Sequence, residues 1–291
     1  MTNSQRPHRI ASRVVLGLRD SPRLGGFFAQ PGAQGFRHFE AYDAREGGGE
    51  EYFDRDRFTS HYGEPPLGGQ VGCAISHHLI LKEFANEPGV DTDLLLVAED
   101  DARFLPGFER ALDRITRNAG PLDYVNLAEP FARTKAGLLH PYAEDAAMLS
   151  LTSRIIGWRG VEPIRMGPFS GRAWGAVCYL VSRAAARRIT EVARSRGRLS
   201  WLADDFTQWA EPADIRVLLV RPDLVTYDGP STIESGTLPP RGLTLREMAR
   251  EGGVISALRR FAAPRRRLRH LARAWRATRC PTGSGGAEAT P

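Results

Sequence analysis

Short, mostly apolar runs recur along this chain and are separated by polar or glycine-rich segments. Such runs are typical of buried β-strands, and they occupy residues 13–18, 94–97, 122–127, 176–181 and 215–220. Residues 36–42 alternate aromatic with polar side chains, which predicts another short strand. The sequence therefore predicts a sheet of at least these six strands.

Helical spacing of apolar residues appears between the predicted strands. Helices are predicted over residues 69–86, 106–117 and 201–209. Another helix is predicted to begin after Ser182, with Ser182 as its N-cap. Glycine, proline and charge predict loops over 19–35, with one helical turn, and over 43–69. Residues 137–171 are predicted to be irregular, with strand pairs and loops. Strands that alternate with helices predict an α/β domain with a mostly parallel central sheet.

Bulk composition narrows the class of protein. The 291 residues are 42% apolar and 25% charged, which favours a sizeable folded core. We expect no transmembrane helix and no signal peptide, because the chain lacks a long apolar run and its first residues are polar. Cys73, Cys178 and Cys280 are far apart, which argues for a reducing compartment and against a disulfide framework or zinc site. The cytoplasm is the expected location.

Charge divides the chain into two unequal parts. Residues 241–291 hold twelve arginines and three acidic residues, whereas residues 1–240 hold 28 basic and 31 acidic residues. We therefore predict a domain over 1–240, a basic amphipathic helical tail over 241–279 and a disordered terminus over 280–291. Such a tail suits an anionic membrane surface, and a solvated or partner-bound helix is the alternative. No nucleic-acid fold signature is present, so we do not expect a nucleic-acid partner.

Three acidic residues, Glu99, Asp100 and Asp101, directly follow the predicted strand over 94–97. Ligands of open α/β sheets gather beyond the carboxyl ends of the strands. Adjacent carboxylates repel one another unless a cation or solvent neutralises them, and Mn²⁺ or Mg²⁺ prefers oxygen ligands. The triplet therefore indicates either a divalent-metal site or a solvated acidic turn before the helix near Pro106.

The residues around this triplet resemble the core signature of glycosyltransferase family 25. That signature has glycines and a cysteine leading into a Ser-His helix, followed by an apolar strand that ends in Glu-Asp-Asp. The matching residues here are Gly69, Gly72, Cys73, Ser76, His77, Glu99, Asp100 and Asp101. Weaker similarity extends from residue 13 to about 235, including Arg19 and Arg23 in the first loop and the Trp174-Gly175 pair.

The resemblance implies a fold of the GT-A type and inverting transfer of a hexose, galactose above all, from UDP-galactose with Mn²⁺ (or Mg²⁺). The implied acceptor is a glycan or glycolipid, as in lipopolysaccharide biosynthesis. Together with the basic tail, this suggests a peripheral protein at the inner membrane face. Two other classes stay open. One is a catalytically silent relative that binds a nucleotide sugar or a partner, because Val177 stands near where many members have histidine. The other is a membrane- or nucleic-acid-associated binding protein.

Chemistry assigns provisional roles within the acidic triplet and the later acidic pair. Alternate residues of a strand share a face, so Asp101 is the first metal ligand and Glu99 the second, or Glu99 contacts the ribose. If the strand ends before Glu99, Asp100 is the better ligand. Inversion needs a general base near the acceptor hydroxyl, and the candidates are Asp204, which is preferred, and Asp205.

The remaining candidate residues are expected to bind the nucleotide-sugar donor. Arg19 and Arg23 are expected at the diphosphate, or else on the surface. Glycines permit close approach of the backbone to a ligand, and a tryptophan can stack on a sugar face. On these grounds the donor-binding set is Arg19, Arg23, Gly69, Gly72, Ser76, His77, Glu99, Asp100, Trp174 and Gly175.

Overall fold

The computed structural model describes residues 8–118, 120–128, 147–170, 173 and 175–227 of the chain. The strands in these ranges are β1 (Ile10–Gly17), β2 (Phe36–Glu40), β3 (Leu94–Glu99), β4 (Ala102–Phe104), β5 (Tyr124–Asn126), β6 (Met148–Leu149), β7 (Arg154–Arg159), β8 (Glu162–Gly167), β9 (Phe169–Ser170), β10 (Cys178–Ser182), β11 (Val217–Arg221) and β12 (Val225–Tyr227). The helices are α1 (Arg23–Ala29), α2 (Arg55–Tyr62), α3 (Gly68–Asn86), α4 (Phe108–Asn118), α5 (Arg183–Arg196) and α6 (Phe206–Trp209).

The predicted strands and long helices are all present, with shifted ends. Ser182 caps α5 as expected, because its hydroxyl accepts a hydrogen bond from the backbone N–H of Ala185 at 3.2 Å. The predicted loop over 43–69 is wrong in its middle, where α2 lies. This helix begins after Asp54 and ends at Gly63, which has a φ of +83°. Only Phe58 of α2 is buried, so the segment lacks the apolar stripe that identifies most helices.

Eight strands form one sheet in the order β2-β1-β3-β10-β5-β11-β8-β7. The expectation of a mostly parallel sheet needs correction, because the sheet is mixed. β10 pairs antiparallel with both β3 and β5, and β8 pairs antiparallel with β11 and β7, whereas the other three pairings are parallel. Hydrophobic runs mark where strands occur but do not encode which neighbours each strand joins.

Both faces of the central strands are buried, which explains their continuous apolar runs. Leu95 and Val97 of β3 lie in the core beneath α3 and α5, whereas Leu94 and Leu96 face the opposite core beneath α4. Helices on both faces leave the carboxyl edge of β1 and β3 as the place where polar side chains gather.

The predicted domain boundary at residue 240 and the predicted basic tail lie outside the described residues, which end at Tyr227. Among the described helices, none combines the length and the apolar character needed to cross a membrane.

Candidate active site

An open cleft with an empty volume of about 680 Å³ lies at the carboxyl ends of β1 and β3. Its walls come from the end of β1, from residues 41–45 after β2, from the first turns of α3 and from the acidic triplet. β3 ends at Glu99, and the backbone N–H of Asp100 still donates to the carbonyl of Leu16 at 2.9 Å. The sheet therefore holds the first two acids in fixed positions, as the predicted strand required.

Arg23 lies between the carboxylates of the triplet. Its guanidinium is 3.3 Å from Asp100 Oδ1 and 3.3 Å from Asp101 Oδ2. The second oxygen of Asp100 accepts a short hydrogen bond from the hydroxyl of Ser21. Asp100 is therefore held by Ser21 from the loop after β1 and by Arg23 from the start of α1.

The carboxylate of Asp101 differs from that of Asp100 in its hydrogen bonding. Its Oδ1 atom is buried and has no hydrogen-bond partner among the residues that the structure describes. Burial, followed by the charge of Glu99, raises the pKa of Asp101 to about 7, and Arg23 opposes this rise. A buried carboxylate with one unsatisfied oxygen is costly on its own, and a bound cation would relieve that cost.

Glu99 is held by a buried histidine. His77 Nε2 lies 3.2 Å from Glu99 Oε1, and the other ring nitrogen lies 2.9 Å from the hydroxyl of Tyr179 on β10. The sulfur of Cys73 lies 4.0 Å from the same Glu99 oxygen. His77 thus orients the carboxylate, while Cys73 and Glu99 both line the cleft.

Gly72 and Ser76 hold one wall of the cleft in place. A Cβ on Gly72 would lie 2.5 Å from the carbonyl oxygen of Tyr42, so only glycine permits this approach. The hydroxyl of Ser76 accepts from the backbone N–H of Tyr42 at 2.8 Å and donates to the carbonyl of Gly72 at 2.6 Å. Both residues attach the 41–45 segment to α3, a structural role beside the predicted donor contact.

The two candidate bases have different surroundings. The carboxylate of Asp204 accepts from the backbone N–H of Gly175 at 2.7 Å, and burial raises its pKa. Asp205 caps α6 by accepting from Thr207 and also accepts from the hydroxyl of Tyr62 at 2.7 Å. Asp205 therefore has a structural role that accounts for its position, whereas Asp204 contacts Gly175, and neither aspartate is among the residues that line the cleft.

Other predicted donor residues are placed less centrally. The side chain of Arg19 is 75% exposed and pairs with Glu40 at 2.9 Å, and Arg19 does not line the cleft. Gly69 does line it. Gly175 has a φ of +90° and reaches the site through Asp204, and Trp174 lies outside the described residues.

Sequence reasoning assigned no role to Ser21, Tyr179 or the thiol of Cys73. Cys73 belongs to the matched signature, and its spacing of one helical turn from His77 is the local signal that the two side chains share a helix face. Tyr179 lies in a segment with weaker similarity to the family, but its contact with His77 is not predictable from the sequence, since it depends on the insertion of β10 beside β3.

Comparison with protein families gives a match. The family model described as glycosyltransferase family 25 (LPS biosynthesis protein) matches residues 20–207, which is more than half of the chain. The match includes Arg23, the acidic triplet and Asp204. A search of curated proteins gives no match.

Proposed function

We infer the reaction of this chain from its family. The chain belongs to glycosyltransferase family 25 and is a glycosyltransferase. We propose that it transfers a hexose, with galactose favoured, from a UDP-sugar to a glycan or glycolipid acceptor with inversion. The proposed domain is a single nucleotide-sugar-binding unit of the GT-A type. The acidic cleft at the carboxyl edge of the sheet supports this assignment.

The orphaned oxygen of Asp101 is the observation that carries the proposal. A buried carboxylate oxygen without a partner among the described residues fits a divalent ion such as Mn²⁺ or Mg²⁺. Asp100 already has Ser21 and Arg23 as partners, which favours Asp101 as the first ligand. Glu99 is the proposed second ligand, through the carboxylate that His77 orients. When bound, such an ion would neutralise charge on the departing diphosphate.

Arg23 is the proposed contact for the diphosphate. Its guanidinium already lies at the cleft between two carboxylates, and arginine binds phosphate oxygens with two parallel hydrogen bonds. The backbone near Gly69 and Gly72 faces the same cleft, which allows a close approach by the donor. We keep Arg19 as a weaker candidate, because it pairs with Glu40 and does not line the cleft.

Asp204 is the proposed general base for the acceptor hydroxyl. Its raised pKa makes it a stronger proton acceptor than an ordinary carboxylate. The hydrogen bond from Gly175 leaves one of its two oxygens for the acceptor. Asp205 is the less suitable choice, since its carboxylate caps α6 and holds Tyr62.

Release of UDP from a panel of UDP-sugars, with and without Mn²⁺ and with a glycolipid acceptor, tests this function. We expect Mn²⁺-dependent release with at least one donor, and loss of release in Asp101→Asn. Asp43→Asn is the matched control, because Asp43 also lines the cleft but its carboxylate is paired with Arg45. Equal turnover in wild-type protein and Asp101→Asn would remove Asp101 from the donor site.

A catalytically silent relative is the second candidate, since Val177 occupies the position near which many members have histidine. Val177 is buried among apolar residues, and its carbonyl accepts from the backbone N–H of Glu99 at 2.8 Å. Donor binding without any UDP release, across all donors and acceptors, would favour this candidate over the enzyme.

The basic segment after residue 240 is proposed to contact an anionic membrane surface at the inner face. This segment contains twelve arginines and three acidic residues. Each basic residue near an anionic membrane surface contributes about 1 kcal/mol to binding. Truncation after Pro240 should abolish salt-sensitive binding to anionic vesicles and leave donor hydrolysis intact. An intact protein that ignores these vesicles would end the membrane proposal, and loss of donor binding on truncation would show that the boundary is misplaced.

A further inference from the structure

We propose that Cys73, His77 and Glu99 form a second cation site at the cleft, which binds a thiophilic divalent ion such as Zn²⁺. One ligand atom from each residue lies within 4.8 Å of the other two. This set combines a thiol, an imidazole and a carboxylate, the donor types that bind zinc in proteins. It differs from the oxygen site proposed at Asp101, which suits harder ions.

The observed distances are close to those around a bound zinc ion. Ligand atoms of a tetrahedral site are about 3.2–3.7 Å apart, given zinc bonds of about 2.0–2.3 Å. His77 Nε2 and Glu99 Oε1 are 3.2 Å apart, which needs no change. Cys73 Sγ is 4.0 Å from the same oxygen and within 4.8 Å of His77, so the cysteine side chain must move toward the other two ligands for an ion to bind all three.

The ligands come from two elements that are already fixed against each other. Cys73 and His77 lie one turn apart on α3, whose start is attached to the 41–45 segment through Gly72 and Ser76. Glu99 ends the central strand β3. Rigid elements preserve the separation of ligands better than loops do, so an ion would bind without reorganisation of the backbone.

Tyr179 supplies the outer contact that metal-binding histidines typically have. Its hydroxyl lies 2.9 Å from His77 Nδ1 and can accept a hydrogen bond from that nitrogen when Nε2 binds the ion. The surroundings also favour a cation. The carboxylates of Asp101 and Asp204 add negative charge near Cys73.

An ion at this site would have one open position, directed into the cleft that Cys73 and Glu99 line. It would also remove Glu99 from the donor site. Zn²⁺ should therefore inhibit transfer while Mn²⁺ supports it. This inhibition rests on the proposed function, whereas binding of the ion does not.

Titration of the reduced, metal-free full chain with Co²⁺ tests the site directly. Thiolate-bound cobalt has a charge-transfer absorption band in the near ultraviolet, and Zn²⁺ should abolish that band by displacement. Cys73→Ser should remove the band. His77→Gln should weaken Co²⁺ binding by more than about 100-fold, because loss of outer-shell partners alone costs about 10–100-fold. Tyr179→Phe is expected within that outer-shell range.

Cys178→Ser and Cys280→Ser are the matched controls, and both should keep the band. Asp101→Asn should also keep it, because Asp101 belongs to the oxygen site. Circular dichroism of each variant separates loss of the ligand from loss of the fold. No charge-transfer band, or a band that survives Cys73→Ser, would overturn the proposal. A band in a protein that hydrolyses no donor would instead leave this site standing and overturn the proposed function.

Discussion

Replacing Asp101 with asparagine tests whether the cleft holds a carboxylate that opposes folding. Asparagine keeps the size of the neutral acid and cannot ionise. The pKa of Asp101 rises from an ordinary 3.8 to about 7, so the folded protein favours the neutral form. The stability linked to this neutral form is complete below about pH 3.8 and is lost as the pH rises through about 7.

The size of the effect follows from the size of the pKa rise. Each unit of pKa rise corresponds to about 1.4 kcal/mol, so ionisation of Asp101 lowers the free energy of unfolding by on the order of 4 kcal/mol. For a domain of this length, 1 kcal/mol changes Tm by about 2–4 °C. Asp101→Asn should therefore unfold on the order of 10 °C higher than the wild type at pH 8, and at nearly the same temperature at pH 4.

Thermal unfolding of both proteins in metal-free buffer between pH 4 and pH 8 measures this difference. Asp43→Asn is the control, because the hydrogen bond from Arg45 lowers the pKa of Asp43, and removal of that carboxylate should bring no gain at pH 8. The reasoning is refuted if Asp101→Asn is no more stable than the wild type at pH 8. It is also refuted if the difference in Tm does not change with pH.

Three other changes probe the base and the wall of the cleft. Asp204→Asn should leave donor affinity intact and lower turnover by about 10²–10⁴-fold, whereas Asp205→Asn should leave turnover nearly unchanged and keep the fold, because asparagine caps a helix about as well as aspartate does; the opposite pattern in steady-state kinetics would reverse the assignment. Gly72→Ala should lower the free energy of unfolding by about 1–3 kcal/mol through overpacking, whereas Gly25→Ala, in open space on α1, should not lower it. Equal melting temperatures of the two variants would contradict the close approach at Gly72. Ser76→Ala should lower the free energy of unfolding by about 1–3 kcal/mol and weaken donor binding measured by calorimetry. Unchanged donor affinity would show that this wall does not contribute to the donor site.

Local sequence was sufficient for the frame of the site. The glycine-rich start of α3 and the acids after β3 lie within one contiguous block, and each depends on its own element for its position. Predicting helix 69–86 and strand 94–97 therefore placed Gly72, Ser76 and Glu99 near one edge. The same reasoning missed α2, because its stability depends on caps at Asp54 and Gly63 and on one buried side chain, Phe58.

The pairing of side chains within the site depended on contacts between distant segments. Asp204 and Asp205 are neighbours with similar propensities, yet Gly175 contacts one and Tyr62 contacts the other. Arg19 and Arg23 are four residues apart in the sequence, but Arg19 lies in the loop after β1, whereas Arg23 begins α1 and, of the two, is the one that reaches the acidic triplet. No spacing in the sequence distinguishes these pairs.

The α/β class, the family and the acidic strand end are predictable from contiguous residues, because hydrophobic period and local motifs are local properties. That the sheet is mixed, that one Asp101 oxygen has no partner among the described residues and that His77 joins Glu99 to Tyr179 depends on the folded chain. These features arise where β10 enters beside β3 and where the loop after β1 folds over the triplet. Strand order and burial are collective properties of the folded chain, so no single segment encodes them.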